Sequence, residues 1–518
     1  MPFELKYVRI CCLCSLGMLG CASQPQDEPT QLPGDPQTTL PTVGQVPTGP
    51  PPEMAFPDRN NVAGAQASAA GARAATGMSS AGASGQSAAS AGTGTADAAG
   101  SGGAAGAAGA SAGAPSTGVV DDGPLNMAPV MFGPNVKVND DSGRAQQTEV
   151  VMAAHKDGLL FVGFLDNRMS PSRCGFSVSE DGGMTWSPNV FASTQGSGRA
   201  FAGDPAVAFD DAGNLYAGCQ DYASGGLGTN YILLAHSKDR GKSFSEFKRV
   251  NQSLDKPWLG GTGDGTVLLS WLGNPGGVKR STDYGETWSE PISLGYINHG
   301  TTMSVAETTG LVHMAYNTNE NTVSYRRSKD YGETFEPVKN LSPQGQACRS
   351  PCSPRSHPIV GSDTDPTGKV VAVTWASRQS HPDAESDDDV WVIVSYDSGE
   401  TFSDPIRVND NTSPSRQFQP WVAVDKYGAV HVVWTDMRDN GTNGTYYARM
   451  TDMATGFEAN VQINDDAGAA SGFLGDYKGI DVVGRDVVVT WTDTRSDSGD
   501  IYFARAKDAA AAGGPLMP

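Results

Sequence analysis

Three arginines stand two residues after an aspartate at the ends of apolar, strand-like runs: Asp166-Asn167-Arg168, Asp436-Met437-Arg438 and Asp493-Thr494-Arg495, with Ser377-Arg378 a partial version. A guanidinium offers paired donors in fixed geometry, so several of them converging from distant parts of a chain would clamp a carboxylate. The same Asp-x-Arg unit can also close on itself, its arginine on nearby carbonyls and its aspartate capping the turn. A second set of polar and aromatic residues stands where apolar runs begin: Asp204, Asp255, Lys256, Trp258, His299, Arg355, His357, Gln419, Trp421, Asp476 and Tyr477. Guanidinium groups, carboxylates and aromatic rings gathered on one face are the mixture that carbohydrate sites use.

The elements that must position these residues are legible in a repeat. Five copies of Ser-x-Asp-x-Gly-x-(Thr/Ser)-(Trp/Phe) occur, at Ser179–Trp186, Ser237–Phe244, Ser281–Trp288, Ser328–Phe335 and Ser395–Phe402. Their first residues lie 58, 44, 47 and 67 apart, which marks one supersecondary unit reused around a closed array. Each copy follows an apolar run, as Tyr231–Ala235 precedes the second and Val390–Val394 the fifth. The motif therefore reads as a hairpin turn. Its Ser and Asp bond the turn's own amides, its Gly supplies a positive φ, and its aromatic residue starts the returning strand and packs beneath the turn. Asp181, Asp239, Asp283, Asp330 and Asp397 are structural on this reading.

The repeat resembles the Asp box of sialidases and their bacterial relatives, over roughly Pro134 to Lys507. The resemblance implies a β-propeller with the boxes on the face opposite the substrate pocket. It also implies an exo-glycosidase of the exo-α-sialidase type on acidic glycan ends, with arginines on the substrate carboxylate, a tyrosine nucleophile assisted by a carboxylate, and an aspartate acid/base. By position Tyr477 is that tyrosine, and Asp204, Asp255 and Asp436 are the candidate acids. The candidate substrate contacts are Arg168, Arg378, Arg438, Arg495, Trp258, Trp421 and His357. The alternative on the same architecture is a non-catalytic module that holds a glycan or a protein. What separates the two is whether the arginines converge with Tyr477 and a carboxylate. The chain departs from sialidases in lacking their Arg-Ile-Pro signature.

Units begin near Glu149, Asp204, Lys256, Thr301, His357, Gln419 and Asp476, which predicts seven four-stranded blades, with six as the alternative count and as the number in sialidases. The sixth keeps a degraded hairpin, Thr451–Phe457, and the seventh stops after three strands. Its missing strand is predicted at the other end of the domain. Val136-Lys137-Val138-Asn139-Asp140 matches Ile406-Arg407-Val408-Asn409-Asp410 and Val461-Gln462-Ile463-Asn464-Asp465, the last strands of units five and six. An N-terminal strand would thus complete the last blade and leave no edge open. Connections between blades and between second and third strands share one face, so the Asp-x-Arg units and the blade entrances lie together, away from the repeat hairpins. Trp375, Trp434, Trp491, His313 and His431 fall inside second strands and are expected in the core.

Residues 1–21 read as an export signal: Lys6 and Arg9, the apolar Ile10–Gly20, then Met18-Leu19-Gly20-Cys21, which resembles a bacterial lipoprotein processing site. Acylation of Cys21 would tether the chain to the outer membrane or cell surface, its only contact with a membrane. Residues 22–120, Pro-rich and then Ala/Gly/Ser-rich, bury too little apolar surface to fold and form a linker with a reach of about 55 Å. Residues 508–518 are a flexible tail. Four cysteines remain in the folded part, and Cys348–Cys352 and Cys174–Cys219 are the expected disulfides. A net charge of −21 excludes nucleic acid as a partner. A glycan or glycoprotein ligand, a monomer, and no cofactor or metal are expected, with calcium left open by the Asp and Asn loops.

Overall fold

Short runs rich in Val, Ile and aromatic residues, punctuated by Gly, Asn and Asp, form strands, and the computed structural model has no helix among its described residues. Described are residues 129–507 apart from 194–198, 224–228, 254, 319–321, 343–358, 378–387, 440, 467, 469–472 and 497–498. Cys21, the linker, the Cys348–Cys352 pair, Arg355, His357, Arg378 and the tail therefore lie outside the described residues. The strands form seven antiparallel sheets, the blades of a propeller. Their first strands are Gln147–Ala154, Arg199–Phe209, Asp255–Thr262, His299–Val305, Gly361–Thr364, Gln417–Val424 and Gly479–Val483. These touch in succession around a ring, the seventh returning to the first. In the third blade the second and third strands run on as Thr266–Ser281. Residues up to Leu272 pair with the first strand, and those from Gly273 to Val278 pair with the last.

The ring closes as the sequence repeat implies. Val136–Lys137 pairs antiparallel with Asp500–Ala506, Val136 opposite Phe503 and Lys137 opposite Tyr502. Asn139 fixes the join: its side chain accepts from the Ile501 amide and donates to Asp500 Oδ1 at 2.9 Å and Gln147 Oε1 at 3.0 Å. Strands of the seventh and first blades are thereby held by one side chain.

The repeat hairpins are held as their residue types require. In the second, Asp239 Oδ1 accepts from the Ser237 hydroxyl and the Ser243 amide, and Oδ2 from the Ser243 hydroxyl at 2.6 Å. The Ser243 hydroxyl and amide hold the Asp239 carboxyl down at about 2, and those of Thr287 do the same for Asp283. The repeat glycine is needed both for its φ and for the space it leaves. Gly285, at φ 84°, would put a Cβ 2.3 Å from Leu234 of the preceding blade, and Gly399, at φ 80°, would put one 1.9 Å from the Tyr325 hydroxyl. The motif aromatics also reach the preceding blade: Trp186 meets Phe503, Phe244 meets Phe161 and Phe402 meets Tyr325, while Trp288 bonds the Gly285 carbonyl of its own turn at 3.0 Å. Each hairpin is a wedge between blades as well as a turn.

The Asp-x-Arg units close on themselves, which corrects their reading as a substrate clamp. Arg168 pairs with Asp166 at 2.7 Å and with Asp140. Arg438 pairs with Asp436 at 2.8 Å and Asp410 at 2.6 Å, and Arg495 with Asp493 at 2.8 Å and with Asp465. Asp140, Asp410 and Asp465 each lie three residues beyond the fourth strand of the preceding blade, so one rim latch is built three times, across the joints 7/1, 5/6 and 6/7. Asp436 is fully buried between Arg438, Gln417 and the Trp434 indole, so it is part of a latch and not an acid facing substrate. The next joint, 1/2, carries the Cys174–Cys219 disulfide.

The core lies between the blades, with Trp375, Trp434 and Trp491 among its largest fully buried side chains. His313 and His431 are buried there, each ring bonded to a tyrosine hydroxyl. Lys478 is also buried, between blades 6 and 7, donating to Thr445 Oγ1 at 3.2 Å; burial pushes its ammonium down to about 7 against the pull of Asp493. A lysine whose folded value is depressed costs stability wherever it must be charged, that is, increasingly as pH falls from 10 to 7. Lys478→Met should therefore raise the melting temperature by several degrees at pH 6 and by little at pH 10. Arg438→Ala leaves two carboxylates facing each other across joint 5/6 and should cost about 3 kcal/mol in chemical denaturation. Because Arg438 bonds no residue at the axis, the same variant should leave any ligand binding there unchanged.

Candidate functional site

Five first strands slip register against their second strands, each around one residue in the left-handed region: Glu149 (φ 58°), Asp204 (46°), Lys256 (48°), Gly300 (55°) and Gln419 (52°). Only one of the five is glycine. Holding a residue with a Cβ there costs about 1–3 kcal/mol and persists where the surroundings over-determine it. Such a bulge re-aims its side chain, here toward the propeller axis. Gly475 has no Cβ for a related reason: one would lie 2.3 Å from the Glu149 amide nitrogen, where the seventh blade crosses the first.

The re-aimed side chains meet those of Asp476 and Tyr477. Lys256 Nζ lies 2.7 Å from Asp476 Oδ2, 3.2 Å from Asp204 Oδ1 and 3.2 Å from the Tyr477 hydroxyl, which itself donates to Asp204 Oδ1 at 3.1 Å. Glu149 Oε2 accepts from the Asp204 amide at 3.4 Å. Gln419 donates to the Gly475 carbonyl and accepts from Thr435. On the far side of Asp204, the Tyr222 hydroxyl hydrogen-bonds both Asp204 Oδ2 and Asp255 Oδ1. Asp255 also accepts from the Lys256 amide at 3.0 Å. Residues from blades 1, 2, 3 and 7 thus make one cluster at the entrance end of the first strands.

Burial separates the two aspartates in character. It pushes Asp255 up to about 7, reinforced by the negative charge of Asp204. The same burial acts on Asp204, but the Lys256 ammonium outweighs it and holds that carboxyl below its usual range. Lys256 stays firmly charged: Asp204 and Asp476 overcome its burial. Burial keeps Tyr477 un-ionised although Lys256 pulls the other way. Glu149, Asp204 and Asp476 place carboxylate oxygens within 4.8 Å of one another, which is a metal-like grouping, but the Lys256 ammonium occupies the position a cation would take.

Beneath the cluster the rings of Trp258, Trp421 and Tyr477 pack at centroid distances of 5.3 to 6.2 Å. The two tryptophans, read from the sequence as substrate contacts, form an axial floor. On its other side lies a cavity of about 190 Å³ lined by both tryptophans, Met152, Ser304, Asp363 and Asp481. Asp363 and Asp481 each bond the amide of the next blade, at Val424 and Ala154, and burial raises both carboxyls, Asp481 to about 6. Of the sequence candidates, Asp204, Asp255, Lys256, Asp476 and Tyr477 come together; Arg168, Arg438, Arg495 and Asp436 stay at the rim. Tyr222 and Glu149 were not singled out as site residues by the sequence. Tyr222 directly follows Asp221, which faces Arg249 at 3.6 Å in its own blade's variant of the rim pair, and that position was its one available signal.

No protein-family model matches the chain, and no curated protein matches it. Among solved structures the chain is similar to a protein of unknown function from Dyadobacter fermentans, at 15% identity and a TM-score of 0.45, with 73% of this chain and 99% of that one covered. It is similar to the NanB sialidase of Streptococcus pneumoniae at 14% identity and a TM-score of 0.43, covering 73% and 70%. For an α-L-arabinofuranosidase of Fusarium graminearum the values are 14% and 0.44, covering 73% and 98%. With seven blades closed by its own N-terminal strand, the chain is a β-propeller.

Proposed function

We propose that the chain is a glycoside hydrolase that works on glycan ends at the axial cluster. The observation that carries this reading is the pair Asp204 and Asp255, two neighbouring carboxyls pushed to opposite protonation states beside a tyrosine hydroxyl. Environments that drive two carboxyls apart in this way suit one to give a proton and the other to take one. In the proposed reaction Asp255 gives its proton to the leaving glycosidic oxygen, which departs with the electron pair of the broken C–O bond. Tyr477 attacks the anomeric carbon as Asp204 accepts its proton, and the Lys256 ammonium offsets negative charge growing on the phenol oxygen. Water then replaces Tyr477, returning one proton to Asp255, and Asp204 gives its proton back to the phenolate.

The charge of the site favours an uncharged sugar. Among the described residues Lys256 is the only cation in the cluster, and it faces Asp204 and Asp476 with Glu149 close by. Arg168, Arg438 and Arg495, the described arginines that the sequence offered for a substrate carboxylate, are engaged at the rim. A neutral glycan end is therefore proposed, with a sialoside as the comparison substrate. An exported chain tethered through Cys21 accords with glycans or glycoproteins as targets, and the chain is proposed to act as a monomer.

Purified protein should release the reporter from at least one neutral aryl glycoside faster than from an aryl sialoside. Asp255→Asn should lower kcat by about 10²–10⁴-fold. Tyr477→Phe should abolish covalent labelling by a fluorosugar, as read by mass spectrometry. Retention of glycans with no release from any glycoside would instead make the chain a binding module, and faster release from the sialoside would restore an acidic substrate.

A further inference from the structure

A phenol hydroxyl carries one hydrogen, yet Tyr222 stands within hydrogen-bonding reach of a carboxyl oxygen on each side. It can donate to only one of them. The other contact is a hydrogen bond only if that carboxyl is itself protonated and donates to the phenol oxygen. Two ionised carboxylates on one hydroxyl would leave one oxygen facing lone pairs with no hydrogen between them.

The surroundings decide which carboxyl holds the proton. Asp204 Oδ1 already receives the Lys256 ammonium and the Tyr477 hydroxyl, the partners of an ionised carboxylate. Asp255 faces no ammonium at hydrogen-bonding distance among the described residues; its Oδ1 also accepts from the Lys256 amide. The remaining charged or titratable groups of the cluster, Asp476, Glu149 and Tyr477, lie on the Lys256 side of Asp204.

We propose that Asp255, Tyr222 and Asp204 form one directed chain of hydrogen bonds sharing a single carboxyl proton that rests on Asp255, in which Tyr222 is the positioning residue that holds the two carboxyls apart. Tyr222 donates to Asp204 and accepts from Asp255. The depressed Asp204 and raised Asp255 carboxyls agree with this order. The role of Asp255 in turnover rests on the hydrolase reading; the shared proton does not.

Infrared difference spectra of the full chain provide the test without any substrate. Wild type minus Asp255→Asn at pH 6 should show the loss of one carboxylic-acid carbonyl band. The subtraction cancels other protonated acids such as Asp363 and Asp481. Asp204→Asn removes the charge that keeps Asp255 protonated, so the same band should vanish from that variant at pH 6. In Tyr222→Phe the band should persist but shift, because its hydrogen-bond acceptor is gone. The high-pH limb of turnover should lie near 7 in the wild type and move up by about one unit in Tyr222→Phe, where the two carboxyls face each other directly. Loss of a carboxylate band in place of the carboxylic-acid band in Asp255→Asn would overturn the proposal. An Asp204→Asn spectrum that keeps the acid band would do the same. Failure to find any cleaved glycoside sinks only the hydrolase reading, since the spectra need none.

Discussion

The pairing of Val136–Lys137 with Asp500–Ala506 is the constraint on which the site depends. Asp476 and Tyr477 enter the axial cluster from the seventh blade, while Glu149 comes from the first, so the cluster straddles the seam. An open seam would let the seventh blade move away from Lys256 and leave a buried ammonium with Asp204 alone. The rim latch Asp140–Arg168, the Asn139 side chain and the Asp481 bond to the Ala154 amide all cross this same joint.

The axial cluster shows how a repeated device acquires chemistry. The bulge recurs in at least five blades, and in the fourth its residue is Gly300, which can project nothing. Where Glu149, Asp204, Lys256 and Gln419 take that place, the strained backbone is retained at a cost glycine would have avoided. Their mutual contacts compensate. One ammonium among three carboxylates, with tyrosine hydroxyls at its margins, gives a site whose charges are fixed by neighbours rather than by water. The tryptophan floor then separates this polar assembly from the cavity below it.

Much of the fold was legible in the sequence because its determinants are local and repeated. Five hairpins specified the unit, and Val136–Asp140 gave away the closing strand by matching Ile406–Asp410. The entrance residues Asp204, Asp255, Lys256, Asp476 and Tyr477 followed from where units begin. The arginines were misread because their partners lie in the preceding blade: Arg168 and Arg438 reach back 28 residues and Arg495 reaches back 30. That near-constant interval between Asn-Asp and Asp-x-Arg was present in the chain, and it encodes a latch. Tyr222 had no such partner pattern, and Glu149 sits among apolar neighbours, so only the bulge reveals where it points. The wedge role of the repeat glycines was likewise invisible, since the atoms they make room for, at Leu234 and Tyr325, belong to another unit.

The seam also sets an order of events during synthesis. Val136 and Lys137 leave the ribosome among the first residues of the propeller, yet their partners in Asp500–Ala506 are among the last. Until then the nascent chain carries a strand without a mate and a ring that cannot close, with the loop-closure cost of more than three hundred residues still to be met. Throughout translation that unpaired edge is a template for other chains. The domain's exposure to misassembly is thus decided by how promptly its final strand is delivered.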